Sequence, residues 1–466
     1  MAKVGKPNLD RIEAGHREIL LRVCRLVAEA GGRAWLVGGT VRDGVLGSSQ
    51  RDLDLEVFGL SGPDLRAALG AVFPLDLVGE SFGIVKLREA PIDVGLPRRE
   101  SKAGQGHRAF DVTADPDLPL ADAAARRDFT INAIYFDPLQ DEVSDPFGGL
   151  SDLGHRLLRH TSPAFGEDPL RVLRGMQFVA RFLLDVVPGT LAECRRIGFE
   201  NLPAERVFEE WKKLILQGEE PGRGLRFLRD TTWLRFFPEL EATVGCPQDP
   251  RHHPEGDVWT HTGHCLDAFA AERTDDPHED LVVGLAVLCH DLGKPLCTQV
   301  ESGGRLRALG HEKAGVEVAE RFLARLTNQR KLVLQVLPLV AEHMAPSQLA
   351  KADASDAAVR RLAKRVGRID RLLRVARADA LGRPPLGPDP FPAGPWLSEK
   401  AHRLSVLEAQ PEALVQGRDL LQLGWSAGPH LKEILDRVYE AQLEGHFHNI
   451  EGGHDYVSHH FGPPRK

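Results

Sequence analysis

Apolar residues recur at helical spacing between residues 10 and 30, at Ile12, Ile19, Leu20, Val23, Leu26 and Val27. The run stops at Gly31-Gly32, which predicts a helix ending there. The period then shortens to two. Ala34 to Val37 leads into a glycine turn, Asp52 to Phe58, Gly83 to Leu87 and Pro91 to Leu96 alternate, and Ile131 to Phe136 reads as a further strand. A small mixed sheet with flanking helices is expected over this part. From about residue 150 the pattern turns helical, through DPLRVLRGMQFVARF, AERVFEEWKKLILQG and PGRGLRFLRDTTWLRFF. The segment GCPQDPRHHPEGD at 245–257 reads as a linker, because Pro and Gly interrupt both periodicities. More helices follow up to a Pro-rich loop at 383–396. The tail is helical again, broken at WSAGPH, 425–430. The expected fold class is multidomain α+β.

The length of 466 residues implies two to four domains at roughly 100 to 200 residues each. Hydrophobic residues make up 42% and charged residues 27%, enough to bury a sizeable core. The formal net charge of −8 argues against indiscriminate, charge-driven nucleic-acid binding. Six cysteines without a CxxC pair suit a reducing compartment. The start of the chain lacks the apolar core of a signal peptide, and no apolar run reaches membrane-spanning length. A cytoplasmic protein without membrane association is expected.

The richest stretch for chemistry is LVGGTVRDGVLGSSQRDLDLEVFGL, 36–60. Gly38-Gly39 after a strand lets backbone N–H groups approach a phosphate, and Arg42 follows within reach of the same anion. Asp52 and Asp54, two residues apart on the next strand, share one face. Neighbouring carboxylates repel unless a cation lies between them, and paired Mg²⁺ ions serve this purpose in phosphoryl transfer. Asp93 in PIDVGLP is a candidate third carboxylate. A bare DxD could also be a solvated acidic edge, and the glycine turn with Arg42 upstream favours the metal site.

With these segments, RRDFTINAI (126–134) and EDPLRVLR (167–174) complete an ordered set that resembles the motifs of the bacterial tRNA nucleotidyltransferase and poly(A) polymerase family. The resemblance implies Mg²⁺ at Asp52 and Asp54, nucleotide contacts from Arg127 and Arg174, and positioning roles for Asp128 and Asn132. It also assigns Asp168 and Arg171 to nucleobase choice. Spaced i, i+3 on a helix, they would leave one face. Asp168 could accept from the exocyclic amine of cytosine or adenine while Arg171 donates to the ring nitrogen. Some relatives carry Arg where this chain has Gln177, which removes one cation. The stretch RRESKAGQGHRAFDV, 98–112, resembles the flexible loop used in passing from C to A addition.

Among the 19 histidines, an ordered set resembles the HD phosphohydrolase domain: His261, the doublet His290-Asp291, and Asp379. The resemblance implies that these four hold one metal, with His311 and His343 available for a second ion or a substrate phosphate. Imidazole and carboxylate ligands suit Mg²⁺, Mn²⁺, Ni²⁺ or Fe. Lys294 could hold substrate phosphate or be a surface lysine. Between Arg360 and Arg377, eight basic residues face one acidic residue, a local charge of +7. Arg360, Lys364, Arg368 and Arg371 would form one stripe, either neutralising RNA phosphates or lying paired with acidic neighbours.

The family resemblance implies a nucleotidyltransferase head at 1–150, a nucleotide-recognition neck at 151–245, an HD domain at 246–385 and an RNA-binding tail at 386–466. The implied activity is template-independent addition of C, C and A to tRNA from CTP and ATP, with phosphoester hydrolysis at the HD site. A poly(A) polymerase or partial CC- or A-adding enzyme is the nearer alternative, and a nucleotide-sensing HD phosphohydrolase the more distant one. The oligomeric state stays open.

Overall fold

A computed structural model describes residues 5–48, 52–79, 84–102, 110–385 and 390–462. The chain divides into two compact units, one of residues 1–214 and 223–236, the other of residues 215–222 and 237–466.

The first unit is built on a seven-stranded mixed sheet. Its strands are β1 (Arg33–Val37), β2 (Leu53–Phe58), β3 (Leu75–Gly79), β4 (Ile84–Leu87) and β5 (Ile92–Gly95). A separate hairpin of β6 (Arg98–Lys102) and β7 (Phe110–Ala114) follows, before β8 (Tyr135–Asp137) and β9 (Glu142–Ser144) complete the sheet. The order is β3-β4-β5-β2-β1-β8-β9, and only β2 and β5 run parallel. That pairing sets Asp54 directly against Asp93.

The helix Ala14–Glu29 ends just before Gly31-Gly32 and buries Leu20, Val23, Cys24 and Val27. Alternation along β2 buries Leu53, Leu55 and Val57, so Asp54 turns to the opposite side. The stretch read as a strand from Ile131 is a 3-10 turn over Thr130–Asn132, with the strand starting only at Tyr135. Side-chain bonds explain the difference. Asn132 is drawn inward by Asp128 and Arg42, so the chain curls before it extends. Helices at Leu170–Phe182, Ala204–Gln217 and Pro221–Asp230 bear out the helical reading beyond residue 150.

Among its described residues, the second unit is helical apart from a two-stranded hairpin, Gln299–Val300 with Leu306–Arg307. Helices Val258–Ala271, Pro277–Cys289, Arg330–Glu342 and Ile369–Leu381 bury many of its core residues. Toward the chain's end, helices Gly417–Gln422, His430–Glu444 and Ile450–Phe461 close on Leu420, Trp425, Val438, Phe447 and Val457. All six cysteines are free thiols. Among the described residues, no helix is long and apolar enough to cross a membrane.

The basic stretch at 360–377 is two helices, Asp356–Val366 and Ile369–Leu381, separated at Gly367. Its charges are largely spent on carboxylates of this unit. Arg361 and Lys364 pair with Glu440, Arg365 with Glu342, Arg371 with Glu279, Arg374 with Asp280 and Arg377 with Glu272. Within the stripe, Lys364, Arg368 and Arg371 are paired with carboxylates, and Arg360 donates to the Leu443 carbonyl.

Gly38 joins β1 to the helix Gly39–Leu46 with φ 66° and ψ −133°, a conformation open to glycine and costly for other residues. A Cβ there would stand 3.2 Å from Arg127 Nη1. Gly38→Ala is expected to destabilise the first unit by about 1–3 kcal/mol. Denaturant unfolding checks this, and an unchanged midpoint would contradict it.

Candidate active sites

A cleft of about 570 Å³ opens over β1, β2 and β5 in the first unit. Gly38, Gly39, Arg42, Asp54, Asp93, Arg127, Asp128, Asn132, Asp168, Arg171, Arg174 and Gln177 all line it. Asp52 lies just ahead of β2 and is exposed, outside the cleft lining. The start of β2 is clamped by Thr40, whose hydroxyl donates to the Asp52 carbonyl at 3.0 Å and accepts from the Asp54 N–H at 3.1 Å. Burial against the cleft wall pushes the Asp54 pKa up; Arg127 opposes the rise, and Asp93 and Asp52 add to it. Lys86, register partner of Asp93, forms an ion pair with it. A carboxylate whose charge is disfavoured by burial and by like neighbours fits a site that takes a divalent cation.

The other wall is a chain of charged hydrogen bonds. Arg42 is buried, donating from Nε to Asp43 and from Nη1 to Asn132 Oδ1 at 2.7 Å, with its guanidinium over the rings of Phe178 and Phe182. Asn132 donates to Asp128 Oδ1 at 2.9 Å, and Arg174 Nε donates to Asp128 Oδ2 at 2.6 Å. Burial opposes the Asp128 charge, yet Arg174 and Asn132 hold its carboxyl below the ordinary range. Arg42, expected to reach an anion, is therefore first a structural cation of this network.

Asp168 is not in the helix that carries Arg171. It is extended, with φ −116° and ψ 104°, because Pro169 disfavours helical geometry in the residue before it. Its carboxylate accepts the Leu170 N–H at 3.0 Å and faces Arg206 Nη2 at 3.2 Å. Arg171 is pinned by the carbonyls of Ala164 and Arg126. Both side chains still reach the same cleft. Gln177 is buried and accepts from Arg181 Nη1 at 3.0 Å, so a cation stands one turn beyond the position where some relatives carry Arg. Burial and nearby Arg42 bring the Arg181 pKa down to about 10. Arg181, Arg206 and Glu56 were missed in the sequence. The i, i+4 step from Gln177 to Arg181 was the available signal for the first. Of the stretch 98–112, residues 103–109 lie outside the described residues.

The second unit gathers all six histidine and aspartate residues expected at its metal site. His261 Nε2 lies 3.0 Å from Asp379 Oδ1 and 3.7 Å from Asp291 Oδ2, and His290 Nε2 lies 3.2 Å from Asp291 Oδ2. The other oxygen of Asp291 faces a second pair, with His311 Nε2 at 3.3 Å and His343 Nε2 at 3.9 Å. Asp291 thus stands between two nitrogen-rich groups. Close packing at Gly293 helps set this. A Cβ there would come within 2.1 Å of the His311 carbonyl, so only glycine lets these segments meet. Lys294 is buried rather than a surface lysine, and lies 2.7 Å from Asp291 Oδ2 and 2.6 Å from Gln248 Oε1.

His290 Nε2 and both Asp291 oxygens are buried without a hydrogen-bond partner of good geometry. Converging lone pairs left this way fit a divalent metal. Burial opposes both charges, but His290 and Lys294 hold Asp291, and Arg383 and His261 hold Asp379, well below the usual carboxylate range. Cys265, one turn after His261, places Sγ 3.3 Å from His261 Nε2. The supposed linker also contributes. His253 and Glu255 of HHPEGD pack onto His261, a placement that turn-forming composition concealed. The adjoining cavity is about 670 Å³ and is lined by Lys294, Arg305, Arg307 and Arg383 among others.

A nucleotide-sized cleft over paired strand carboxylates and a histidine-aspartate centre among helices define a nucleotidyltransferase head joined to an HD domain. Comparison with known proteins agrees. The family described as "Poly A polymerase head domain" matches residues 34–159, "Probable RNA and SrmB- binding site of polymerase A" matches 196–243, and "HD domain" matches 259–383. The multifunctional CCA protein of Xanthomonas campestris pv. campestris (strain B100) is 35% identical over 417 residues, covering 86% of this chain and 96% of its own. That of Methylococcus capsulatus is 37% identical over 407 residues, covering 83% and 91%. Among solved structures, the Thermotoga maritima CCA-adding enzyme complexed with tRNA shares the fold at TM-score 0.59 and 17% identity, covering 97% of each chain. The Bacillus stearothermophilus CCA-adding enzyme in complex with CTP does so at TM-score 0.60 and 22% identity, covering 93% of this chain and 94% of that one. The chain belongs to the multifunctional CCA protein family.

Glu56 ties the cleft floor together, accepting from Arg126 at 2.7 Å, Arg127 at 2.9 Å and Tyr135 Oη at 2.8 Å. Burial opposes its charge, but Arg127 and Arg126 hold its pKa below the ordinary value. The unfolded chain therefore takes up this proton first on acidification. The stabilisation is complete above about pH 4.3 and is lost as pH falls from there through the lower folded-state value. Glu56→Gln is expected to be less stable at pH 7 and to show a shallower loss between pH 5 and 3 than wild type. Urea unfolding across that range checks it, and parallel curves would contradict it.

Proposed function

We infer that this chain is a CCA-adding tRNA nucleotidyltransferase carrying an HD phosphohydrolase domain. The observation that carries the reading is the pairing of the Asp54–Asp93 cleft with family membership along most of the chain. The head adds C, C and A to the 3′ end of tRNA from CTP and ATP, without a nucleic-acid template. Action on tRNA places it in the cytoplasm. The modules are a head at 1–150, a neck at 151–245, an HD domain at 246–385 and an RNA-binding tail at 386–466.

In the head, Asp52 and Asp54, with Asp93 beside them, would hold Mg²⁺, which when bound would supply charge to lower the pKa of an attacking hydroxyl and to offset the triphosphate. The Gly38-Gly39 turn lets the chain approach the phosphates closely, and Arg127 and Arg174 contact the nucleotide. Asp128 and Asn132 hold Arg42 and Arg174 in place. Asp168 accepts from the amino group that cytosine and adenine share, and Arg171, fixed by two carbonyls, donates to the adjacent ring nitrogen. Uracil and guanine present the reversed pattern there and leave both groups unmatched, which costs more than a lost hydrogen bond.

In the HD domain, His261, His290, Asp291 and Asp379 would hold one divalent ion, of Mg, Mn, Ni or Fe, with His311 and His343 joining Asp291 to hold a second, and such an ion would supply the Lewis acidity that activates water for phosphoester hydrolysis. Lys294 and the arginines of the cavity balance the substrate's charge. Terminal 2′,3′-cyclic phosphate and 2′-phosphate groups of RNA are the proposed substrates, consistent with a role in end repair.

Purified protein incubated with tRNA lacking its 3′ end and labelled CTP and ATP is expected to incorporate C, C and A in order. Long ATP-only tails would instead indicate poly(A) synthesis, and no incorporation would leave a nucleotide-sensing hydrolase. Asp54→Ala is expected to abolish incorporation while sparing hydrolysis of a model phosphodiester, and Asp291→Ala to do the reverse. Joint loss of both activities in either variant would contradict two separate centres.

A further inference from the structure

Three histidines of the metal centre are oriented by their own local backbone. Nδ1 of His290, His311 and His343 bonds the carbonyl three residues earlier, at 2.7, 2.7 and 2.8 Å, which leaves each Nε2 facing inward. His261 differs. It lies inside the helix Val258–Ala271, and its Nδ1 finds acceptors outside that helix. Glu255 Oε1 is 2.8 Å away and the Gly382 carbonyl is 3.3 Å away. Both neighbours only accept, so Nδ1 carries the hydrogen. With Nδ1–H held in this way, Nε2, which faces Asp379 and Asp291, is the nitrogen left to give its lone pair to an ion.

We infer that Glu255 is a positioning residue of the metal centre, whose carboxylate holds the Nδ1–H of His261 and thereby aims Nε2 at the ion. The inference rests on the reading that this cluster binds a divalent metal. Glu255 is built for the task. Its side chain is 1% exposed, and the same Oε1 accepts from His253 Nδ1 at 2.8 Å. The His253 ring packs edge to face on His261 at 4.8 Å, which fixes the plane in which the imidazole lies. Oε2 is buried with no hydrogen bond. A buried carboxylate left half satisfied needs positive charge close by, and an ion on the far side of the imidazole would provide it. In return the carboxylate makes the imidazole a better electron donor than a carbonyl partner would.

The test uses full-length, metal-stripped protein titrated with Co²⁺ and followed by visible absorption. Glu255→Gln and Glu255→Ala are expected to bind Co²⁺ about 10–100-fold more weakly than wild type, with Ala the weaker. Nitrogen-edited histidine spectra of the proteins loaded with diamagnetic Zn²⁺ provide a second readout. His261 is expected as the Nδ1–H tautomer with Nε2 on the ion in wild type, with that preference reduced in Glu255→Ala. Gln keeps the side-chain volume and decides the matter alone if Ala fails to fold. Unchanged Co²⁺ affinity and tautomer in the variants overturn the role of Glu255 while leaving the metal centre intact. Wild-type protein that takes up no Co²⁺ overturns the metal centre and this inference with it.

Discussion

Two carboxylates held side by side by the parallel register of β2 and β5 are the constraint on which the head depends. Unit charges about 4 Å apart repel by about 1 kcal/mol in water and about 4 kcal/mol near a protein surface. Asp54 and Asp93 cannot relax apart, because backbone pairing fixes them and Thr40 clamps the strand where it begins. The cost is met locally by Lys86 and Arg127, while loss of solvent, with the charges of Asp93 and Asp52 behind it, still pushes the Asp54 pKa up. A site that remains short of positive charge is prepared for a cation. The bonded arginines around it keep the cleft open and polar rather than collapsed.

The second unit solves a related problem with different material. Asp291 presents one oxygen to His261 and His290 and the other to His311 and His343, so a single buried carboxylate serves two groups of imidazoles. The histidines come from different helices, and helix ends or Glu255 set their Nδ1 hydrogens outward. Preorganised lone pairs need little rearrangement to take up a metal, at the cost of polar atoms left buried and unpaired. The two centres therefore share a physical logic, convergent donors, half-exposed on a sheet in one unit and buried among helices in the other.

Local chemistry was legible in the sequence, and long-range pairing was not. Gly38-Gly39 and Asp54 could be read because turn chemistry and strand periodicity place them within a few residues, whereas the His-Asp doublet stood out only through its resemblance to the HD domain. Asp168 was misplaced onto the helix because base recognition was argued from i, i+3 spacing, while the effect of Pro169 on the preceding residue was overlooked. The basic stretch at 360–377 left two readings open in the sequence because its partners, Glu272, Glu279, Glu342 and Glu440, lie many residues away. Glu255 and His253 were hidden for the opposite reason. Proline and glycine around them signal irregular backbone, and say nothing of where the side chains pack.

Both centres being true cation sites is the central claim, and crystals soaked in Mn²⁺ and CTP test it most directly through anomalous difference density. The account predicts one peak at Asp54 beside Asp93 and another among His261, His290, Asp291 and Asp379. Density at the histidine centre alone, with nucleotide bound in the cleft and no ion at Asp54, would contradict it.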